Sequence, residues 1–308
     1  MRNYFGFNLT GKQLMPIWLI FYFLFIAPYV LLILKMKDIQ PGTTPSGMMF
    51  IYLFLLMMVA FLISFYLAKM MIENFTYNDR TISFNGEFGK FVVLILVGLV
   101  LSTITLGIYM AWFIRDIHRF FVNNSTYENE PLNFRGKGGQ LFVILLLTVL
   151  LPIIALTIIM AILFMENPGH LSTGPMIIQQ IITWIIMIPY MYFLYKWMVN
   201  IDYKNYTIKW NTEFWESCGK IALEIFLSIL TFGIYFPMAM IKLYAYFTDK
   251  TIAQSAEIRR KFGFDTDNIN DFLFIWGQTL LTIITLGLYY PWLISKIGKR
   301  ILSRTYLE

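Results

Sequence analysis

The chain has almost none of the residues that build metal centres and disulfides: one cysteine, Cys218, and two histidines, His118 and His170, in 308 residues. A single cysteine excludes an internal disulfide, and two histidines in separate polar segments leave no zinc-binding spacing. Charge is scarce too, at 14% of residues against 58% hydrophobic, a balance outside that of soluble domains. The net charge of +6 does not indicate nucleic acid, because Lys and Arg are scattered between apolar runs instead of forming a basic domain. No nucleophile, base and orienting group recur together, so neither an enzyme nor a cofactor is expected.

Apolar length is abundant. Runs close to the ~20 residues that cross ~30 Å of hydrocarbon occupy 14–34, 48–68, 91–113, 141–164, 177–195, 221–240 and 272–294. A simple count gives seven spans. The first run follows Gly11 without a small-residue cleavage site and reads as a retained helix. Between runs lie FTYNDRTISFNG, STYENEPLNFRG and IDYKNYTIKWN, which predict small polar β-hairpins at the membrane surface. The charged stretch 248–264 reads as a helix extension followed by a solvated loop.

The chain repeats itself. FNGEF at Phe84–Phe88 and WNTEF at Trp210–Phe214 stand 126 positions apart, and an offset of 127 relates Phe7 and Gly11 to Phe134 and Gly138. A third, partial copy begins near Phe264, 54 positions after Trp210. One membrane domain thus divides into 1–126, 127–252 and 253–308.

Each copy carries one motif: TLGIYMAW from Thr105, TFGIYFPM from Thr231 and TLGLYYPW from Thr285. With the paired repeats and the length, these make the chain resemble the YjgN family of bacterial inner-membrane proteins of unknown function. The resemblance implies an α-helical, multi-pass inner-membrane protein and transfers no catalytic residue.

Gly107, Gly233 and Gly287 in these motifs are candidate helix breaks, since glycine tolerates φ > 0 and proline just beyond suits a new helix start. A glycine inside a continuous helix is the alternative. Basic residues favour the break. Seven spans would divide the 24 Lys and Arg residues 10 to 14, whereas turning back the three motif runs leaves only Lys35 and Lys37 outside. The expected fold is therefore an all-α membrane protein: four spanning helices, three re-entrant pairs, and hairpins and both termini cytoplasmic.

Upstream of each glycine a polar stripe stays in register at helical spacing: Gly98, Ser102 and Thr105; Glu224, Ser228 and Thr231; Gln278, Thr282 and Thr285. Helix packing explains it, and a shared polar lumen is the alternative. Glu224 is the only carboxylate deep in an apolar run, with Lys220 and Glu216 preceding it as a possible charge ladder. Downstream, Arg115, Arg119, Lys242, Lys296, Lys299 and Arg300 are candidate lipid-headgroup contacts, and Trp112, Tyr235, Tyr289 and Trp292 read as interface aromatics. These features suit a transporter or channel for a small molecule, ion or lipid; a scaffold recruiting partners through its cytoplasmic hairpins is the alternative. Membrane lipids are the expected partners, and the sequence does not give an oligomeric state.

Topology has a direct test. Single cysteines at Asn78, Asn129 and Lys204 in a Cys218→Ser background should all resist an impermeant external thiol reagent; labelling of Asn129 and Lys204 but not Asn78 would restore seven spans.

Overall fold

The computed structural model describes residues 2–36, 47–166 and 173–308. Lys37 and His170, and most of the two connections expected outside, lie beyond the described residues. Four helices are long and apolar enough to cross a membrane: Gly11–Met36, Gly47–Glu73, Gly138–Ile162 and Ile177–Met198. Two of them contain a π-helical turn, Tyr22–Ile26 and Leu146–Leu150, just ahead of Pro28 and Pro152. Proline has no N–H to donate to the carbonyl four residues back, and the widened turn accommodates the lost bond. In the most apolar stretch of any of the four, no more than 17% of residues are buried.

The other three apolar runs are not single helices. Each is a pair of antiparallel arms: Phe88–Ile104 with Met110–Asn123, Phe214–Leu230 with Phe236–Asp249, and Asn268–Ile284 with Tyr290–Leu302. A straight span through any of these runs is thereby excluded among the described residues.

The all-α expectation needs correction. Eleven strands form one antiparallel sheet: β1 (Asn3–Phe7), β2 (Phe75–Tyr77), β3 (Arg80–Thr81), β4 (Ser83–Phe84), β5 (Ser125–Tyr127), β6 (Glu130–Phe134), β7 (Ile201–Tyr203), β8 (Tyr206–Trp210), β9 (Thr251–Gln254), β10 (Arg259–Phe264) and β11 (Thr305–Leu307). The three expected hairpins form as β2/β3, β5/β6 and β7/β8, turning through positive φ at Asn78, Asp79, Glu128, Asn129 and Lys204. They are not separate, however. The spatial order is β3-β2-β1-β11-β10-β9-β8-β7-β6-β5-β4, and its two ends, β3 and β4, are joined through Ile82, whose N–H donates to the Phe75 carbonyl at 3.0 Å. The sheet closes on itself. The stretch 248–264 is also corrected: instead of a helix extension and loop it supplies β9 and β10.

The inner face of this ring is aromatic. Tyr77 and Tyr127, on strands separated by the β3/β4 segment, bring their rings to 5.6 Å; Tyr127 and Tyr203, separated by β6, to 5.8 Å; Phe5 and Phe262, separated by β11, to 5.9 Å. Backbones two strands apart lie ~9.6 Å from each other, so these rings converge on a concave surface. Thr81, Ser83, Asn133, Asp202, Thr207 and Lys209 alternate to the other face.

Five helical units hang from the ring. The first and third each hold two of the spanning helices; the second, fourth and fifth are the paired arms. One backbone bond staples the two ends of each unit: Asn8 N–H to Asn74 O, Asn85 to Asn124, Arg135 to Asn200, Asn211 to Lys250 and Asp265 to Arg304, all 2.8–3.0 Å. The residue before each donor is a large aromatic, Phe7, Phe84, Phe134, Trp210 or Phe264, and each is buried in its own hydrophobic cluster. Units pack on their neighbours, and the fifth closes against the first. There Trp292 lies where a Cβ on Gly11 would stand, as Trp112 does over Gly138 between the second and third units.

Across the ring seam Glu128 accepts from Arg80 (2.6 Å) and Lys204 (2.9 Å). The Lys204 bond holds the Glu128 carboxyl below its ordinary value of 4.5, and Glu128 pushes Lys204 up to about 12. A depressed carboxyl stabilises the fold above its unfolded value and ceases to as pH falls through the folded one; the raised lysine does so below its unfolded value and ceases as pH rises through about 12. Acidification below pH 4.5 should therefore lower the melting temperature of the detergent-solubilised protein, and Glu128→Gln should lower it at neutral pH while flattening that acid limb.

Candidate functional site

A helix that stops must still satisfy its last carbonyls. The three arm-to-arm turns do so identically. Gly107, Gly233 and Gly287 donate to the carbonyls of Ser102, Ser228 and Thr282 at 2.7 Å, while Leu106, Phe232 and Leu286 donate to Thr103, Ile229 and Ile283 at 3.0–3.2 Å. This is the six-to-one and five-to-two pattern of a Schellman ending. The glycines have φ of 85° to 90°, but the left-handed residue that ends the helix is the one before, Leu106, Phe232 or Leu286, at 49° to 51°. That conformation costs an L-residue ~1–2 kcal/mol, and here it is taken by side chains that are 94%, 98% and 78% exposed.

Threonine completes each turn. Thr105, Thr231 and Thr285 donate their hydroxyls to the carbonyl four residues back (2.7–2.8 Å) and accept the N–H of Tyr109, Tyr235 and Tyr289 four residues ahead (2.9–3.0 Å). Ser228 and Thr282 bond back to the carbonyls of Glu224 and Gln278. Five of the nine stripe residues thus serve their own helices. The sixth hydroxyl, on buried Ser102, has no partner, and Gly98 is covered by Phe113.

Glu224 and Gln278 do more. Tyr235 donates to Glu224 Oε2 at 2.9 Å and accepts from Lys242 Nζ at 2.8 Å. In the fifth unit Tyr289 donates to Gln278 Oε1 and accepts from Lys296 Nζ, both at 2.8 Å. Tyr235 and Tyr289, read above as interface aromatics, are the middle of these relays. Lys220 Nζ adds a 3.0 Å pair to Glu224 Oε1, whose side chain is 1% exposed. Glu216 does not extend that ladder, because it turns to Lys250 at 2.6 Å.

Beside Glu224 opens a cavity of about 900 Å³, between the second spanning helix of the third unit and both arms of the fourth. Trp184, Met191, Phe236 and Met240 wall it with apolar surface, and Gln180, Glu224 and Ser228 supply its polar edge. Among the described cavities none is lined by stripe residues of two units.

The remaining candidates divide. Lys242 and Lys296 are engaged in the relays, and Arg300 pairs with Asp271 at 2.6 Å, where Arg304 joins it at 2.8 Å. Asp271, 3% exposed, escaped sequence reading because it stands at a helix start among other polar residues. Arg115 Nε lies 2.7 Å from Asp116 Oδ1, while Arg119 and Lys299 are exposed. Among the described residues no three of His, Cys, Asp and Glu stand together as metal ligands.

Residues 79–261, more than half of the chain, match the model of a family described as a bacterial protein of unknown function, DUF898. The chain belongs to this family, the YjgN family. No curated protein and no solved structure matches it. The matched span runs from the first ring hairpin through the second, third and fourth units into β10, and so includes Glu224, Tyr235 and the cavity.

Tyr235→Phe leaves buried Glu224 without one donor and should destabilise the protein by about 1–3 kcal/mol, read as a lower unfolding midpoint in detergent. Tyr109→Phe, in the unit that lacks this acceptor, should change it much less.

Proposed function

We propose that this protein is an inner-membrane, transporter-like protein that binds a lipid or comparably amphiphilic small molecule in the cavity between its third and fourth units and moves it across the bilayer. The observation that carries this reading is the cavity itself: about 900 Å³ falls within the ~300–1,000 Å³ of small-molecule sites. Its apolar wall suits a hydrocarbon tail, and Glu224, Ser228 and Gln180 suit a polar end.

The reading includes three re-entrant units. An arm of 17 residues reaches ~25 Å, short of a ~30 Å core. A turn that exposes Leu106, Phe232 or Leu286 is unfavourable in water and favourable in lipid. With the strand ring in the cytoplasm, the distribution of Lys and Arg follows the positive-inside rule. Duplication of a two-unit block, followed by one further unit, accounts for the alternation of spanning and re-entrant units, a construction found in transporters.

The exposed cations Lys209, Arg259 and Lys261 around the ring favour the second reading, a scaffold that recruits a protein partner.

Reconstituted vesicles separate the two. Ser228→Leu, which shrinks the cavity, and Glu224→Gln, which keeps the relay geometry that Gln278 already shows, should each reduce lipid or amphiphile movement at least about fivefold, roughly 1 kcal/mol, at unchanged folded yield. Unchanged movement together with recurrent cross-links from Lys209 or Lys261 to one protein would sink the transport reading and support the scaffold.

A further inference from the structure

The groove between the two arms is bridged in the fourth and fifth units and open in the second. In the fourth, Glu224, Tyr235 and Lys242 cross it and Glu216–Lys250 spans it near the sheet; in the fifth, Gln278, Tyr289 and Lys296 cross it. Position for position, the second unit has Gly98 for Glu224 and Asp116 for Lys242. Tyr109 is left without the carboxylate or amide acceptor and without the lysine donor of the other two rungs, and a groove of about 480 Å³ runs along the arms.

Its polarity is graded. Toward the turn it is lined by Val93, Val97 and Phe113; toward the sheet, by Lys90 and Arg119 beside Asn123 and Asn124. The two amides are spent on the protein, Asn124 on the Phe120 carbonyl and Asn123 on Asn133. Asp116 is balanced by its neighbour Arg115, 2.7 Å away. Lys90 meets Glu87 at 2.8 Å, but both are about two-thirds exposed, a pair that water and a competing anion readily exchange. Among the described residues Arg119 has no ion pair.

We propose that this groove holds one anionic phospholipid, its phosphate between Lys90 and Arg119 and an acyl chain along Val93, Val97 and Phe113. A free phosphate has no use for the valine face, and a zwitterionic headgroup brings no net charge to two cations. The inference needs the second unit to lie in the membrane, and needs neither the fourth-unit cavity nor transport.

Native mass spectrometry of the purified full chain in detergent tests it, titrating phosphatidylglycerol, phosphatidylcholine of the same chains, and inorganic phosphate. Each of the two cations near a headgroup contributes ~1 kcal/mol, so phosphatidylglycerol should bind about thirtyfold more tightly than phosphatidylcholine, and Lys90→Gln with Arg119→Gln should erase that preference. Both residues are exposed, so the variant retains the fold. Gly98→Glu with Phe113→Ala, which builds the fourth unit's Glu224/Ala239 pair into the second, should also weaken binding; Ser228→Leu should leave it unchanged. Equal affinity for the two lipids, undiminished binding in the Lys90/Arg119 variant, or displacement of the lipid by phosphate at comparable concentration would overturn the proposal.

Discussion

Each paired-arm unit depends on one threonine hydroxyl serving two helices. A chain that reverses between two helices strands the last carbonyls of one and the first N–H groups of the next, and each must find a partner. Thr105, Thr231 and Thr285 give the hydroxyl proton to the incoming helix and offer the oxygen to the outgoing one. That clip fixes the backbone of the tyrosine four residues on. In the fourth and fifth units it delivers the phenol to a side chain eleven residues earlier. The relays, and the grooves they bridge, follow from the turn.

The ring meets the opposite constraint. Strands of two to six residues are too short to persist as isolated hairpins in water, and their open edges would invite pairing with other chains. Closing the sheet through Ile82 removes the edges, and the aromatic belt on its concave side gives the strands a buried face. The ring in turn holds both ends of every helical unit, so ten helical segments that touch mainly their neighbours need no common core. Five small clusters, each seeded by the aromatic at a strand-to-helix junction, take its place.

How much of this was legible depended on distance along the chain. The breaks at Gly107, Gly233 and Gly287 could be read because turn chemistry is local, although the left-handed load falls on the preceding Leu or Phe. The hairpins could be read for the same reason. Their union could not, because β1 finds β2 some seventy residues away and β11 at the far end of the chain, and two- or three-residue strands carry little pattern. A signal was nevertheless present: an aromatic followed by Asn, Arg or Asp recurs at Phe7, Phe84, Phe134, Trp210 and Phe264, marking five junctions where the offset of 126 showed two and a half. The stripe was visible as a stripe, but its role was set by side-chain bonds back to its own helices. The tyrosine relays were missed because helical periodicity does not continue across a turn; spacings of eleven and eighteen residues from Glu224 and Gln278 would have found them.

Three copies of one turn, with different residues beneath it, separate what the geometry requires from what is added to it. Gly98 with Phe113, Glu224 with Ala239, and Gln278 occupying the same place all leave the turn intact. Gln278 holds its tyrosine at 2.8 Å without a charge, so the charge on Glu224 is not needed for the relay. Lys220, 3.0 Å away, has no counterpart in the fifth unit, where Phe274 stands at its position. Burying a carboxylate and pairing it often contributes little net stability. A charged pair thus stands where the fifth unit manages with an amide, and neither the turn nor the relay requires its charge.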